Sequence, residues 1–239
     1  MTGPLKDQTV LVVGRGGGLA RAVVLAARDA GADVVAAGRS RETLDAAYAG
    51  EPAIAVESVD LLDEASIAAL AERLGRVDHV VSTASARARG LLADLDREKV
   101  RLSFDTKVIG PLLLAKHFAP RMPETGSLTL FSGVAAFKIA VGTLAVAITN
   151  GAADTLARSL ALELAPIRVN AISPGVIDTG AWDGLGEQAK ADYFARASAA
   201  NPARRIGTAD DVANTVLYAL TSTFLTGQTL HIDGGEQLT

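Results

Sequence analysis

The chain has no cysteine among its 239 residues. That excludes disulfide bridges and thiolate metal ligands, and no metal site is expected. It does not by itself name the compartment. Basic charge is not in excess: 23 Lys and Arg stand against 27 Asp and Glu, a net charge of −4. No general positive field draws nucleic acid or an anionic membrane, so neither is expected as a partner. A signal-peptide pattern is missing, because Lys6 and Asp7 precede the first apolar run, which is short and ends in glycines. Long uncharged runs are missing too. The longest stretch free of Asp, Glu, Lys and Arg, residues 212–232, contains Asn214, Gly227 and Gln228 and reads as helix, loop and strand rather than a membrane span. A cytoplasmic protein is the expectation. No internal repeat, linker or low-complexity tract divides the chain, and residues 1–239 read as one domain.

What the chain does have is a 49% hydrophobic composition and a regular alternation of two kinds of segment. Apolar runs over 9–13, 34–37, 53–56, 79–82, 128–131, 169–172 and 229–232 read as strands. Helical segments fall at 19–30, 41–48, 64–74, 96–119, 144–164, 187–197 and 210–220, with Pro111 predicting a kink in the fourth. Strands alternating with helices predict an α/β fold, a doubly wound parallel sheet of about seven strands with helices on both faces. In such sheets ligands sit at the carboxyl ends of the strands. The stretch at residues 10–20, VLVVGRGGGLA, is the organising element: a buried strand, a glycine turn, then the start of a helix. Unpaired N–H groups at a helix N-terminus suit a pyrophosphate, and glycine permits its close approach. A dinucleotide site usually carries an acid at the end of the second strand to bind the ribose 2′-hydroxyl. Here the sequence is Gly38-Arg39-Ser40. Arg39, with Arg15 from the glycine turn, is placed to pair a 2′-phosphate instead. Asp60, after the third strand, is placed either to accept from an adenine amine or to cap the next helix.

Over nearly its whole length the chain resembles the short-chain dehydrogenase/reductases. Gly14-Arg15-Gly16-Gly17-Gly18-Leu19-Ala20 is similar to that family's TGxxxGxG turn, with Val13 in place of Thr and Ala20 in place of the last Gly. Asp60-Leu61 matches the aspartate–apolar pair. Arg158 to Leu164 followed by Ile167-Arg-Val-Asn170 matches the second long helix and sixth strand. Pro174-Gly175-Val176-Ile177-Asp178-Thr179 matches the PG motif that holds the nicotinamide side, and Thr226-Gly-Gln-Thr229 through Asp233-Gly-Gly235 the C-terminal signature. The resemblance implies a Rossmann-like fold, an NADP(H) coenzyme preferred over NAD(H), and hydride transfer to a small-molecule substrate. Coenzyme contacts are expected from Gly14, Arg15, Gly18, Leu19, Arg39, Ser40, Asp60, Leu61, Lys107, Pro174, Gly175, Ile177 and Thr179. It also implies self-association to a homodimer or homotetramer. Residues 177–205 would wall the substrate, with Trp182, Tyr193 and Phe194 as apolar contacts.

The catalytic motifs depart from that pattern. The family's YxxxK tyrosine and lysine fall at Val146 and Asn150, and the serine pair ends as Ser132-Gly133. The family's helix asparagine, three residues before Gly110-Pro111, is Lys107. Lysine and asparagine have changed places, so Lys107, Ser132 and Asn150 are the candidate catalytic residues. Lys107 is expected either to fill the space of the family's lysine head and touch the nicotinamide ribose, or merely to pair Asp105 or a main-chain carbonyl. Thr143, or an acid brought by the substrate, is a further source of a proton; His117 reads as a packed or surface residue. Arg87 and Arg89 are placed to receive an anionic substrate or to be solvated. Three functions stay open: an oxidoreductase of atypical mechanism, a non-redox isomerase, cyclase or dehydratase, and a coenzyme-binding pseudoenzyme or inactive subunit.

Overall fold

The computed structural model describes residues 3–180 and 182–239. Ala181, inside the expected substrate wall, lies outside the described residues, as do Met1 and Thr2. The predicted alternation becomes one seven-stranded sheet in the order β3-β2-β1-β4-β5-β6-β9. Its strands are β1 (Thr9–Val13), β2 (Asp33–Gly38), β3 (Ile54–Ser58), β4 (His79–Ser82), β5 (Ser127–Phe131), β6 (Arg168–Pro174) and β9 (Thr229–Ile232). Every neighbouring pair is parallel. The strand order turns back between β1 and β4, which is the switch point where such sheets bind ligands.

The apolar runs follow from this burial. Successive side chains of a strand point to opposite faces. Leu11 and Val13 of β1 join a core with Val80, Leu128 and Val169, packed by α3 (Glu64–Leu74), α5 (Gly110–Phe118) and α6 (Leu144–Glu163) through Ile67, Phe118 and Leu160. Val10 and Val12 face the other core, closed by α1 (Gly18–Asp29) and α8 (Ala209–Thr221) through Val23, Ala27, Val212 and Val216. A sheet covered on both faces needs continuous apolar strands rather than alternating ones. Small residues at the crossing, Ala27 and Ala219, let α1 and α8 approach closely. No helix among the described residues is long and apolar enough to cross a membrane.

Two expectations need correction. The segment 96–119 is not one helix kinked at Pro111. It is α4 (Arg97–Phe104), a wide π turn over Asp105–Ile109, then α5, with Pro111 in the first turn of α5. Pro111 has no N–H for the carbonyl four residues back, that of Lys107. The hydrogen-bond frame slips by one residue, and Gly110 N–H reaches Asp105 O. Such π turns recur at functional sites. The second correction is a two-stranded sheet that the sequence did not suggest. β7 (Ile177–Asp178) pairs with β8 (Gly207–Thr208) and brackets the substrate-wall segment with its helix α7 (Glu187–Ala200). The helix α2 (Arg41–Ala47) covers the edge beside β2 and β3.

Candidate active site

A cleft of about 860 Å³ opens at the carboxyl ends of β1, β2, β3 and β4. Its floor is the glycine turn. Gly14 has no room for a side chain, since a Cβ would lie 2.4 Å from Thr83 Oγ1 and 2.6 Å from Ala20 Cβ. Gly18 has φ +52°, and a Cβ there would lie 2.9 Å from the Thr179 carbonyl oxygen. Gly17 caps α1 without any side-chain acceptor, which leaves the first N–H groups of that helix open to a ligand. The residues present therefore fit the diphosphate of a dinucleotide.

Of the residues expected around a coenzyme, Gly14, Arg15, Gly18, Leu19, Arg39, Asp60, Leu61 and Thr179 all line this cleft. Arg15 and Arg39 are exposed, and among the described residues neither forms an ion pair. Asp60 is not the cap of α3. That is Asp63, which accepts from Ala65 N–H at 3.0 Å, while Asp60 accepts from Leu62 N–H in the preceding turn. Ser40, next to Arg39, is not among the lining residues, and its Oγ caps α2 by accepting from Thr43 N–H at 3.2 Å. Pro174, Gly175 and Ile177 stand off it too. A Cβ on Gly175 would press on Asp233, and Ile177 is core, pinned by pairing with Gly207. Lining residues not expected from the sequence include Thr83 and Thr106. Thr83 had a signal: it follows β4, and its hydroxyl donates to Val13 O at 3.0 Å, clamping the two central strands at the switch point.

Behind the cleft lies the Lys107 cluster. The π turn carries Lys107 inward, where it is 7% exposed. Its Nζ donates to Ser132 O at 2.8 Å and to Asn150 Oδ1. Asn150, 3% exposed, donates through Nδ2 to Gly133 O at 3.1 Å, and Ser132 Oγ donates to Asn150 O at 3.2 Å. The three candidate catalytic residues are thus in direct contact. Lys107 takes a main-chain carbonyl, as one expectation had it, and also the asparagine that changed places with it. Lys107 does not itself line the cleft; its neighbour Thr106 does.

Burial brings the Lys107 pKa down from 10.5 to about 7; the Arg87 charge pushes the same way, and Asp154 opposes it. Asp154 was not foreseen. It lies one helical turn past Asn150 on α6, is buried, and its pKa is raised mainly by that burial. Thr229 donates to its Oδ1 at 3.0 Å. The i, i+4 spacing from Asn150 was a signal for it. Val146, also buried, carries no ionisable group. Thr143 is no free donor, since its hydroxyl closes its own turn by donating to Ala140 O at 2.6 Å. His117 lies on the surface side of α5 and meets Glu64 at 2.9 Å.

A glycine-floored cleft at the switch point of a parallel sheet, beside a buried titratable cluster, is the arrangement of a dinucleotide-binding α/β fold. The family model described as Enoyl-(Acyl carrier protein) reductase matches residues 14–237. A short-chain dehydrogenase/reductase of Acremonium sp, ucsE, is 34% identical over 97% of this chain and 96% of its own. The L-xylulose reductase of Mus musculus is 31% identical over 97% of both chains. A solved small-chain dehydrogenase in complex with NADPH superposes with a TM-score of 0.84 at 30% identity, covering 98% of this chain and all of that one. The chain belongs to the short-chain dehydrogenase/reductase family.

Proposed function

We propose that this protein is an oxidoreductase that prefers NADP(H) to NAD(H) and reduces a small organic substrate without a catalytic tyrosine. For the coenzyme, the support is the charge at the cleft rim. β2 is followed by Arg39 rather than a carboxylate, and Arg15, within the glycine turn, lines the same cleft. Two guanidinium groups without acidic partners among the described residues suit a 2′-phosphate through charge-assisted hydrogen bonds. Gly14, Gly18 and Leu19 would hold the diphosphate, Asp60 and Leu61 the adenine, and Thr179 the nicotinamide end.

When bound, a reduced nicotinamide supplies hydride. The protein must then hold and move a proton. Val146, at the position where the family resemblance expects tyrosine, cannot. The observation that carries the reading is Lys107, gripped by Ser132 O and Asn150 Oδ1 and brought to a pKa of about 7 by burial. A group that titrates near neutral pH is suited to give a proton and recover it. A substrate that asks little of the donor, such as an iminium or an activated alkene, fits such a site.

One observation favours a second reading, a coenzyme-binding protein without turnover: Lys107 Nζ is already occupied by two oxygens, and the side chain is not on the cleft wall. The test has two stages. Binding of NADPH and NADH is measured by calorimetry for the protein and for Arg39→Ala. The expected result is NADPH at least about tenfold tighter, with the preference lost in the variant. NADPH absorbance is then followed with 1-pyrroline and with an enone across pH 5–9. Turnover with an apparent pKa near 7, abolished in Lys107→Met, supports the first reading. Binding without turnover supports the second, and no binding overturns both.

A further inference from the structure

We propose a carboxylate receptor beside the cleft, reached past Arg87 on its wall, in which Arg87 and Arg89 take the acidic group of the substrate and the Trp182–Tyr193 ring pair, adjoining Arg89, takes its body. The substrate class is therefore an organic acid. This rests on the oxidoreductase reading only for what happens at the reacting carbon.

The two arginines sit on the segment that follows β4, and this segment is fixed. Thr83 N–H donates to Val13 O at 2.9 Å, Ser103 Oγ donates to Ala86 O at 2.8 Å, and Gly90 N–H donates to Gly142 O at 3.1 Å. Between the arginines, Ala88 is 2% exposed, while Arg87 and Arg89 are exposed. The alanine anchors the segment inward, and both charges are left outside. Arg87 lines the cleft. Among the described residues neither arginine forms an ion pair, whereas Arg28, Arg73 and Arg205 each meet a carboxylate. Protein around Arg87 lowers its pKa even though it is open to solvent, and the Arg89 charge lowers it further. Two like charges, two residues apart on either side of the buried Ala88, are thus left outside in a chain whose net charge is −4. The carboxylate on the cleft wall is Asp60, at the adenine end.

The aromatic side is built as firmly. Arg89 Cζ lies 5.7 Å from the Trp182 ring centroid, and Trp182 lies 4.7 Å from Tyr193. The indole is held by donation from Nε1 to Ile177 O at 3.1 Å. A guanidinium held over a ring face by cation–π attraction still has N–H donors for a planar acid. Tyr193 faces this group: burial raises its pKa and Glu236 adds to that, while the Arg89 and Arg87 charges oppose them. Glu236 itself is engaged, accepting from Val176 N–H at 3.2 Å.

Trp182 is the chain's single tryptophan, so its emission reports on this site without a label. The experiment titrates the full chain, without coenzyme, with benzoate and with benzamide, which share a ring and differ in charge. The expected result is a saturable change of emission with benzoate, at least about tenfold tighter than with benzamide, and weakened by added salt. The double variant Arg87→Gln/Arg89→Gln should lose that preference while keeping its unfolding midpoint. Equal response to the two probes, no response to benzoate, or an unchanged preference in a folded double variant overturns the proposal. Calorimetry with NADPH is run beside it. Loss of coenzyme binding sinks the oxidoreductase reading and leaves the anion result standing, and the reverse outcome does the opposite.

Discussion

Replacing Lys107 by Met removes a buried charge at nearly constant volume, and its effect on stability should depend on pH in one direction. In the unfolded chain Lys107 titrates at 10.5; in the folded chain burial brings it to about 7. Below pH 7 both states hold the proton, and the folded state carries the full cost of the buried ammonium, about 5 kcal/mol at about 1.4 kcal/mol per pKa unit. Between pH 7 and 10.5 the unfolded chain binds more protons than the folded one, so stability rises with pH. Above 10.5 neither holds it and no further gain follows. The variant lacks this term. It leaves Ser132 O and Asn150 Oδ1 without their donor, a cost of about 1–3 kcal/mol each, but that cost does not change with pH. Groups that do not act on Lys107 titrate alike in both proteins and cancel in the difference. Urea unfolding at pH 6 and at pH 9.5 therefore isolates Lys107. The native protein should gain about 3 kcal/mol on Lys107→Met between those two values. A difference that stays flat within about 0.5 kcal/mol means that the lysine keeps its solution pKa and is not a buried neutral-range proton carrier.

The other perturbations address the cleft floor and the outer helix faces. Gly14→Ala forces a methyl to within 2.4 Å of Thr83 Oγ1, which should cost about 1–3 kcal/mol in urea unfolding and weaken NADPH in calorimetry; an unchanged midpoint and affinity would mean that the turn yields freely. Self-association to a dimer or tetramer is expected through α6, where Leu144 and Ile148 lie one turn apart and are 41% and 51% exposed. Light scattering at micromolar concentration should give a multiple of the chain mass, and Ile148→Glu should lower it. A monomer in both proteins refutes the assignment.

The sheet was legible in the sequence because its signal is local and repeated. The five inner strands are apolar runs that two covered faces demand, and each of the first six strands is followed by a segment of helical period. The glycine turn was legible for a stronger reason: Gly14 and Gly18 occupy places that reject a Cβ, so residue type there reports geometry directly. β7 and β8 were not legible, because each is two residues long and neither has meaning until the other, some thirty residues away, lies beside it. The π turn was half legible. Pro111 announced a missing donor, but whether a helix answers by bending or by slipping its hydrogen-bond frame depends on what the following turn packs against. Here Gly110 packs closely on Leu61, where a Cβ would lie 2.9 Å from the Leu61 Cβ, and a bend would give up that packing. The slip is what remains.

That slip also explains why the Lys107 cluster was readable only in part. The exchange of lysine and asparagine between positions 107 and 150 was visible as a departure from a family pattern, and the contact between them follows from it. What the exchange does to the charge was not visible. In a linear reading Lys107 is an ordinary lysine on a helix. Its inward aim comes from the π turn, its low pKa from the protein packed around it and from Arg87, and Arg87 reaches it from a different segment. A residue's type and spacing can nominate it for chemistry. The protonation state that makes the chemistry possible is set by groups that meet only when the chain has folded, and so the acid–base character of this site is a property of the tertiary structure and not of any motif within it.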